Sequence, residues 1–164
     1  MNKNKSKKNT RREFLKYSSI AASGFFIVPR HVLGGNGYQA PSDTINIAGI
    51  GVGGKGTSDI WNASVEGKEN VIALCDVDKG EISAKSRERF PKANFYQDYR
   101  EMLDKEKDLD AVTISTPDHM HAIQALAAMD RGINVYVQKP LTHNIREARM
   151  LTETAIEKKI FKLK

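Results

Sequence analysis

From residue 43 onward the chain alternates short apolar runs with longer stretches in which apolar side chains recur at helical spacing. The apolar runs near 45–50, 71–75, 93–96, 110–115, 133–137 and 160–163 read as strands, and the stretches near 56–66, 79–89, 98–104, 118–131 and 143–158 read as helices. Ala111-Val112-Thr113-Ile114 and Val135-Tyr136-Val137 are apolar through most of their length, as strands buried on both faces are. No repeat or low-complexity segment interrupts the alternation. It predicts an α/β fold, a doubly wound parallel sheet of Rossmann type over residues 43–164, preceded by a segment of different character in residues 1–42. In such a sheet a ligand lies at the carboxyl ends of the strands, across the point where the strand order reverses.

The first run, Ile45-Asn46-Ile47-Ala48-Gly49-Ile50, breaks into Gly51-Val52-Gly53-Gly54-Lys55-Gly56 before the helix-like stretch from Thr57. G-x-G-x-x-G between a strand and a helix is the spacing that a dinucleotide's diphosphate requires. Gly51 permits the tight turn, Gly53 lets the backbone approach the diphosphate, and Gly56 lets the helix pack close to the strand. The helix N-terminus then offers N–H groups to the phosphates. The frame Gly49-x-Gly51-x-x-Gly54 also fits. The later frame is preferred because it keeps the strand intact through Ile50 and places Asp76 twenty residues after its last glycine, at the end of Val71-Ile72-Ala73-Leu74-Cys75. A carboxylate there can accept both hydroxyls of an adenosine ribose and repels the extra phosphate of NADP, so NAD is expected ahead of NADP. Gly51, Val52, Gly53, Gly54, Gly56 and Asp76 are the cofactor-binding set on this reading; no metal site is expected.

Two further motifs stand at later strand ends. Ser115-Thr116-Pro117-Asp118-His119-Met120-His121 follows the fourth strand, and Gln138-Lys139-Pro140-Leu141-Thr142 follows the fifth. Pro117 suits a helix start and Thr116 its N-cap, with Asp118 and His119 read as capping chemistry. His121, one turn after Pro117, either faces the nicotinamide side of the cleft or is an ordinary surface histidine; placement favours the first. Lys139 is the candidate catalytic residue. A lysine before proline is biased to an extended backbone, so it ends its strand pointing at the crevice. Burial beside a cationic nicotinamide is expected to disfavour the ammonium, which suits proton transfer near neutral pH. The alternative for Lys139 is a solvated surface charge.

With 164 residues, 40% of them hydrophobic, the chain can bury one ordinary core. The net charge of +6 is concentrated at one end: residues 1–30 hold eight Lys or Arg against Glu13 alone, which leaves the remainder close to neutral. No basic groove remains for a nucleic-acid backbone, so nucleic acid is not an expected partner. Thr10-Arg11-Arg12-Glu13-Phe14-Leu15-Lys16 closely resembles the twin-arginine export signal, with residues 17–28 as its apolar region. Those twelve residues include Ser18, Ser19, Ser23 and Gly24, and are too short and polar to span a bilayer. The resemblance implies the twin-arginine machinery as a partner, a periplasmic or exported location, and a cargo folded in the cytosol around its cofactor. A single Cys75 agrees with folding in a reducing compartment and reads as a small core residue.

Taken together, the glycine loop Gly51 to Gly56, Leu74-Cys75-Asp76, Thr116-Pro117 with His121, and Lys139-Pro140 resemble the N-terminal half of the Gfo/Idh/MocA oxidoreductases over residues 43–160. The resemblance implies that Gly51, Gly53, Gly56 and Asp76 hold NAD, that Thr116, Pro117 and His121 lie along the nicotinamide ribose, and that Lys139 contacts both cofactor and substrate. It also implies a small-molecule substrate, a sugar or polyol, with NAD-dependent glycosidase chemistry as a variant within the family and a non-catalytic NAD-binding fragment as the alternative. Gln138 departs from the commonest family pattern, Glu-Lys-Pro, and removes a negative neighbour of Lys139. Relatives of this kind continue into a second domain that shapes the substrate pocket and mediates homo-oligomers. That domain is expected to be missing from this chain, which reads as a fragment, a truncated product or half of a split enzyme.

Overall fold

Residues 43–160 and 162–163 are described in a computed structural model of the chain. The twin-arginine segment and its linker, residues 1–42, lie outside the described residues. Strands β1 (Asn46–Ile50), β2 (Asn70–Cys75), β3 (Asn94–Tyr96), β4 (Ala111–Ile114), β5 (Asn134–Val137) and β6 (Lys162–Leu163) alternate with helices α1 (Lys55–Ala63), α2 (Glu81–Arg89), α3 (Tyr99–Lys105), α4 (Asp118–Met129) and α5 (Ile145–Lys158). All strand pairs are parallel, in the order β3-β2-β1-β4-β5-β6. The chain therefore winds outward from β1 in one direction, then returns to β4 and winds outward in the other. This is the doubly wound arrangement that the apolar alternation predicts.

The sheet has side chains buried on both faces because successive residues of a strand point to opposite sides. Ile47 joins Val52, Ile60, Val71 and Leu74 on one face, with Phe90 and Phe95 against them. Ala48 and Ile50 lie in the other cluster with Ile114, Met102, Met129 and Leu151. Each large aliphatic side chain fully withdrawn from water contributes about 1.5–3 kcal/mol, so the sheet's centre is a rigid base for its loops.

Helix ends are settled locally. Asp98 accepts Arg100 N–H at 2.9 Å to start α3, and Asn144 accepts Glu147 N–H at 3.0 Å to start α5, while Glu147 Oε2 accepts His143 N–H at 2.9 Å in return. The ladder also continues one residue past several strands. Gly51 N–H donates to Cys75 O at 2.8 Å, Ser115 N–H to Ile50 O at 2.9 Å and Gln138 N–H to Ile114 O at 2.9 Å. These bonds bring the residues that follow β1, β2, β4 and β5 to one edge.

Candidate functional site

At the switch point the backbone turns at Gly51, whose φ of 76° lies in the left-handed region, and enters α1 through Gly54. A Cβ on Gly56 would overlap Gly51 O, so the first turn of the helix lies directly on the end of the strand. This close approach places the two ends of the loop at Gly51 and Gly56, the later of the two possible frames. At Gly53 the room that a side chain would need is taken by Ile82 Cγ2 from α2. Helix α1 starts with no side-chain cap and no acid in its first turn. Gly56 N–H donates to Gly53 O at 2.9 Å, and no side chain competes with an anionic ligand or water for the other leading N–H groups.

Asp76 stands immediately after β2 and faces this loop. Its Oδ2 accepts Val52 N–H and Gly53 N–H, both at 3.0 Å, and its Oδ1 accepts Asp78 N–H at 3.0 Å. Three backbone donors hold the carboxylate in one orientation; Oδ2 is filled by two of them, and Oδ1, with one, keeps capacity to accept from a ligand hydroxyl. The residues fit a dinucleotide: an oriented acid, an uncapped helix start and a glycine loop whose one side chain ahead of α1, Val52, is buried in the core lie side by side.

A cleft of about 600 Å³ opens over these groups. Gly51, Gly53, Gly54 and Asp76 line it from the first two strand ends, Thr116 and Pro117 from the end of β4. Sequence reasoning did not single out the apolar wall formed by Val77 and Ile82, which are 83% and 63% exposed. Its signal was two large aliphatics on a segment otherwise dominated by charge. Cys75 lines the floor, and burial, with the negative charges of Asp76, Asp98 and Glu101 behind it, pushes its thiol up to about 12. A thiol so disfavoured as thiolate is core and no nucleophile.

The loop after β4 differs from expectation in one respect. Pro117, with φ −60° and ψ 147°, takes the N-cap position of α4 expected for Thr116. The Thr116 hydroxyl instead donates to Gln124 Oε1 at 2.6 Å, because the buried Gln124 two turns into α4 needs a partner. His121 is neither a surface residue nor part of the cleft lining. It is 1% exposed, with Nδ1 2.7 Å from Pro140 O and Nε2 2.8 Å from Thr116 O. The ring thereby joins the loop after β4 to the loop after β5. Lys139 follows β5 with an exposed side chain, so the burial expected for it is not found among the described residues. Its place beyond the last residue of β5 carries it past the packed part of the sheet. Asp59, a second position that sequence reasoning passed over, lies buried between α1 and the ends of β4 and β5. Burial alone would raise its pKa, but hydrogen bonds from Lys55, Ser115 and Gln138 and the Lys55 charge outweigh this and hold the carboxyl below its usual range.

Among the described residues no helix is long and apolar enough to cross a membrane. A family model described as "Oxidoreductase family, NAD-binding Rossmann fold" matches residues 45–162. A glycosyl hydrolase family 109 protein from Solibacter usitatus is 32% identical over 161 residues, which is 90% of this chain and 36% of that protein. The chain thus spans about a third of the length of the curated relatives it matches. Among solved structures, myo-inositol 2-dehydrogenase from Lactobacillus plantarum superposes with a TM-score of 0.65 at 22% identity, over 73% of this chain and 35% of that one. The WlbA dehydrogenase from Thermus thermophilus, in complex with NAD and UDP-GlcNAcA, superposes with a TM-score of 0.62 at 21% identity, over 73% and 40%. At such identities these structures share the fold.

Proposed function

The chain belongs to the Gfo/Idh/MocA oxidoreductases through their NAD-binding domain, and from that premise we propose that it holds the cofactor of an enzyme moving hydride between nicotinamide and a sugar or polyol. The observation that carries the reading is the Asp76 carboxylate, fixed by Val52 N–H and Gly53 N–H beside the uncapped start of α1. An acid held there accepts ribose hydroxyls, while the helix N–H groups meet the diphosphate. NAD supplies the hydride acceptor or donor. Thr116 and Pro117 form the wall along the nicotinamide ribose, His121 holds the two loops that flank it, and Lys139 moves a proton to or from the substrate hydroxyl. Asp76→Ala is expected to weaken NAD about tenfold or more, the loss typical of a hydrogen-bonded charged group, and to weaken NADP less. Calorimetric titration with both cofactors checks this, and equal losses would remove the reason for assigning NAD.

A second reading is favoured by the name of the Solibacter relative. In it the enzyme oxidises a glycoside transiently, eliminates the leaving group, adds water across the double bond so formed and returns the hydride, so the cofactor ends unchanged. Following NADH formation against release of a sugar leaving group, in a full-length relative, separates the two. Export by the twin-arginine route is proposed from Arg11 and Arg12. Replacing both by Lys should leave the protein in the cytoplasm, and undiminished export in a fractionation experiment would refute the assignment.

A further inference from the structure

Asp59 sits near the middle of α1, 6% exposed, and takes donors from three elements. Lys55 Nζ reaches Oδ1 from one turn earlier on the same helix. Ser115 Oγ, at the end of β4, donates to Oδ2 at 2.7 Å, and Gln138 Nε2, at the end of β5, donates to the same oxygen at 3.0 Å. The Gln138 side chain then turns its carbonyl oxygen to the next residue and accepts Lys139 N–H at 3.0 Å. Its amide orientation is set from both ends, since exchanging O and N would put oxygen against carboxylate and NH₂ against N–H.

We propose that Asp59 and Gln138 are a matched acceptor and donor that together position Lys139, so that an acid at 59 dictates a neutral amide at 138. The inference rests on the proposed function only for what Lys139 does; the pairing stands on the geometry. It also accounts for the departure from Glu-Lys-Pro. A glutamate in place of Gln138 cannot keep this arrangement: with one oxygen on Lys139 N–H, its second would occupy the place of Gln138 Nε2, 3.0 Å from an Asp59 oxygen with no proton between them, and the side chain must leave. Two carboxylates at that separation exclude one another as ions. Lys55 is the charged group facing Asp59; Ser115 and Gln138 bring neutral donors from the two strands. Glutamine has glutamate's length with a donor in place of one acceptor, which is what the gap between Asp59 and Lys139 N–H needs.

The pairing is tested with Gln138→Glu, Gln138→Met and Asp59→Asn/Gln138→Glu in the full chain, read by melting temperature against pH and by hydrogen exchange at the Lys139 amide. The Gln138→Glu variant gains a carboxyl that is harder to ionise folded than unfolded. Its melting temperature should therefore fall further below wild type as pH rises above the ordinary glutamate value of about 4.3. Its Lys139 amide should exchange about tenfold faster, the loss of one hydrogen bond's protection. The Gln138→Met variant should show the faster exchange without the pH-dependent loss. The double variant exchanges the roles, with an amide on α1 donating to a carboxylate at the end of β5, and should return both readouts close to wild type. A Gln138→Glu variant with wild-type exchange and pH profile, or a double variant no better than the single one, overturns the proposal. Should Gln138→Glu fail to fold, a folded double variant is the rescue, and an unfolded one overturns it. None of these readouts uses cofactor, so a wild-type chain that does not bind NAD strikes the proposed function and leaves the pairing intact.

Discussion

A Cβ on Gly56 would run into the Gly51 carbonyl oxygen, and neither backbone can give way without lifting the first turn of α1 off the end of β1. Gly56→Ala is therefore expected to cost about 1–3 kcal/mol of stability, as overpacking does, and to weaken NAD binding with it. Urea unfolding and a cofactor titration check this, and wild-type values in both would show that the loop tolerates a side chain. The glycine spacing and the acid after β2 were legible in the sequence because they are local: each lies on or beside one strand end. The partners of Thr116, His121 and Asp59 were not. Gln124, Pro140 and Gln138 become their neighbours only when topology brings α4 and the two strand ends together, and Gln138 is 79 residues from Asp59. An acid directly before Ile60 and Trp61 in α1, and a glutamine among the alanines of α4, were the available signals.

Helices α1 and α5 begin in opposite ways. Asn144 and Glu147 satisfy each other's region at the start of α5, and Asn144→Ala should cost about 1 kcal/mol, typical of a lost N-cap. Chemical denaturation of the variant checks this; an unchanged midpoint would mean that the helix start is held by tertiary packing alone. Helix α1 has no such cap, and its start is where the anion is assigned. Strands and helices fall within a few residues of the stretches read from the apolar pattern. The largest difference is the end of α1, expected at 66 and found at Ala63. There the chain turns through Val65 and Glu66 with φ of 49° and 58°, a left-handed excursion that neither side chain advertises.

Across the described sheet, the two halves meet between β1 and β4, and Asp59 ties α1 to the ends of β4 and β5 in the second half. Its carboxyl titrates below the usual Asp value of 3.8. The stabilisation it gives is complete above that value and is lost as pH falls through the lowered folded one, so acid should weaken the fold there. Asp59→Asn should be less stable at neutral pH, by about 1–3 kcal/mol, with a shallower acid limb; thermal melts from pH 7 downward check the difference in slope. The doubly wound class was legible because strand and helix patterns simply alternate; the strand order itself was read only from the structure. The tether between Asp76 and the amides of Val52 and Gly53 has a consequence for anyone wishing to swap the coenzyme. The side chain that would select the adenosine sugar also braces the stretch beneath the neighbouring phosphates, so discarding it for a cationic residue loosens what both coenzymes share. A successful exchange would have to reinstate that brace with another acceptor.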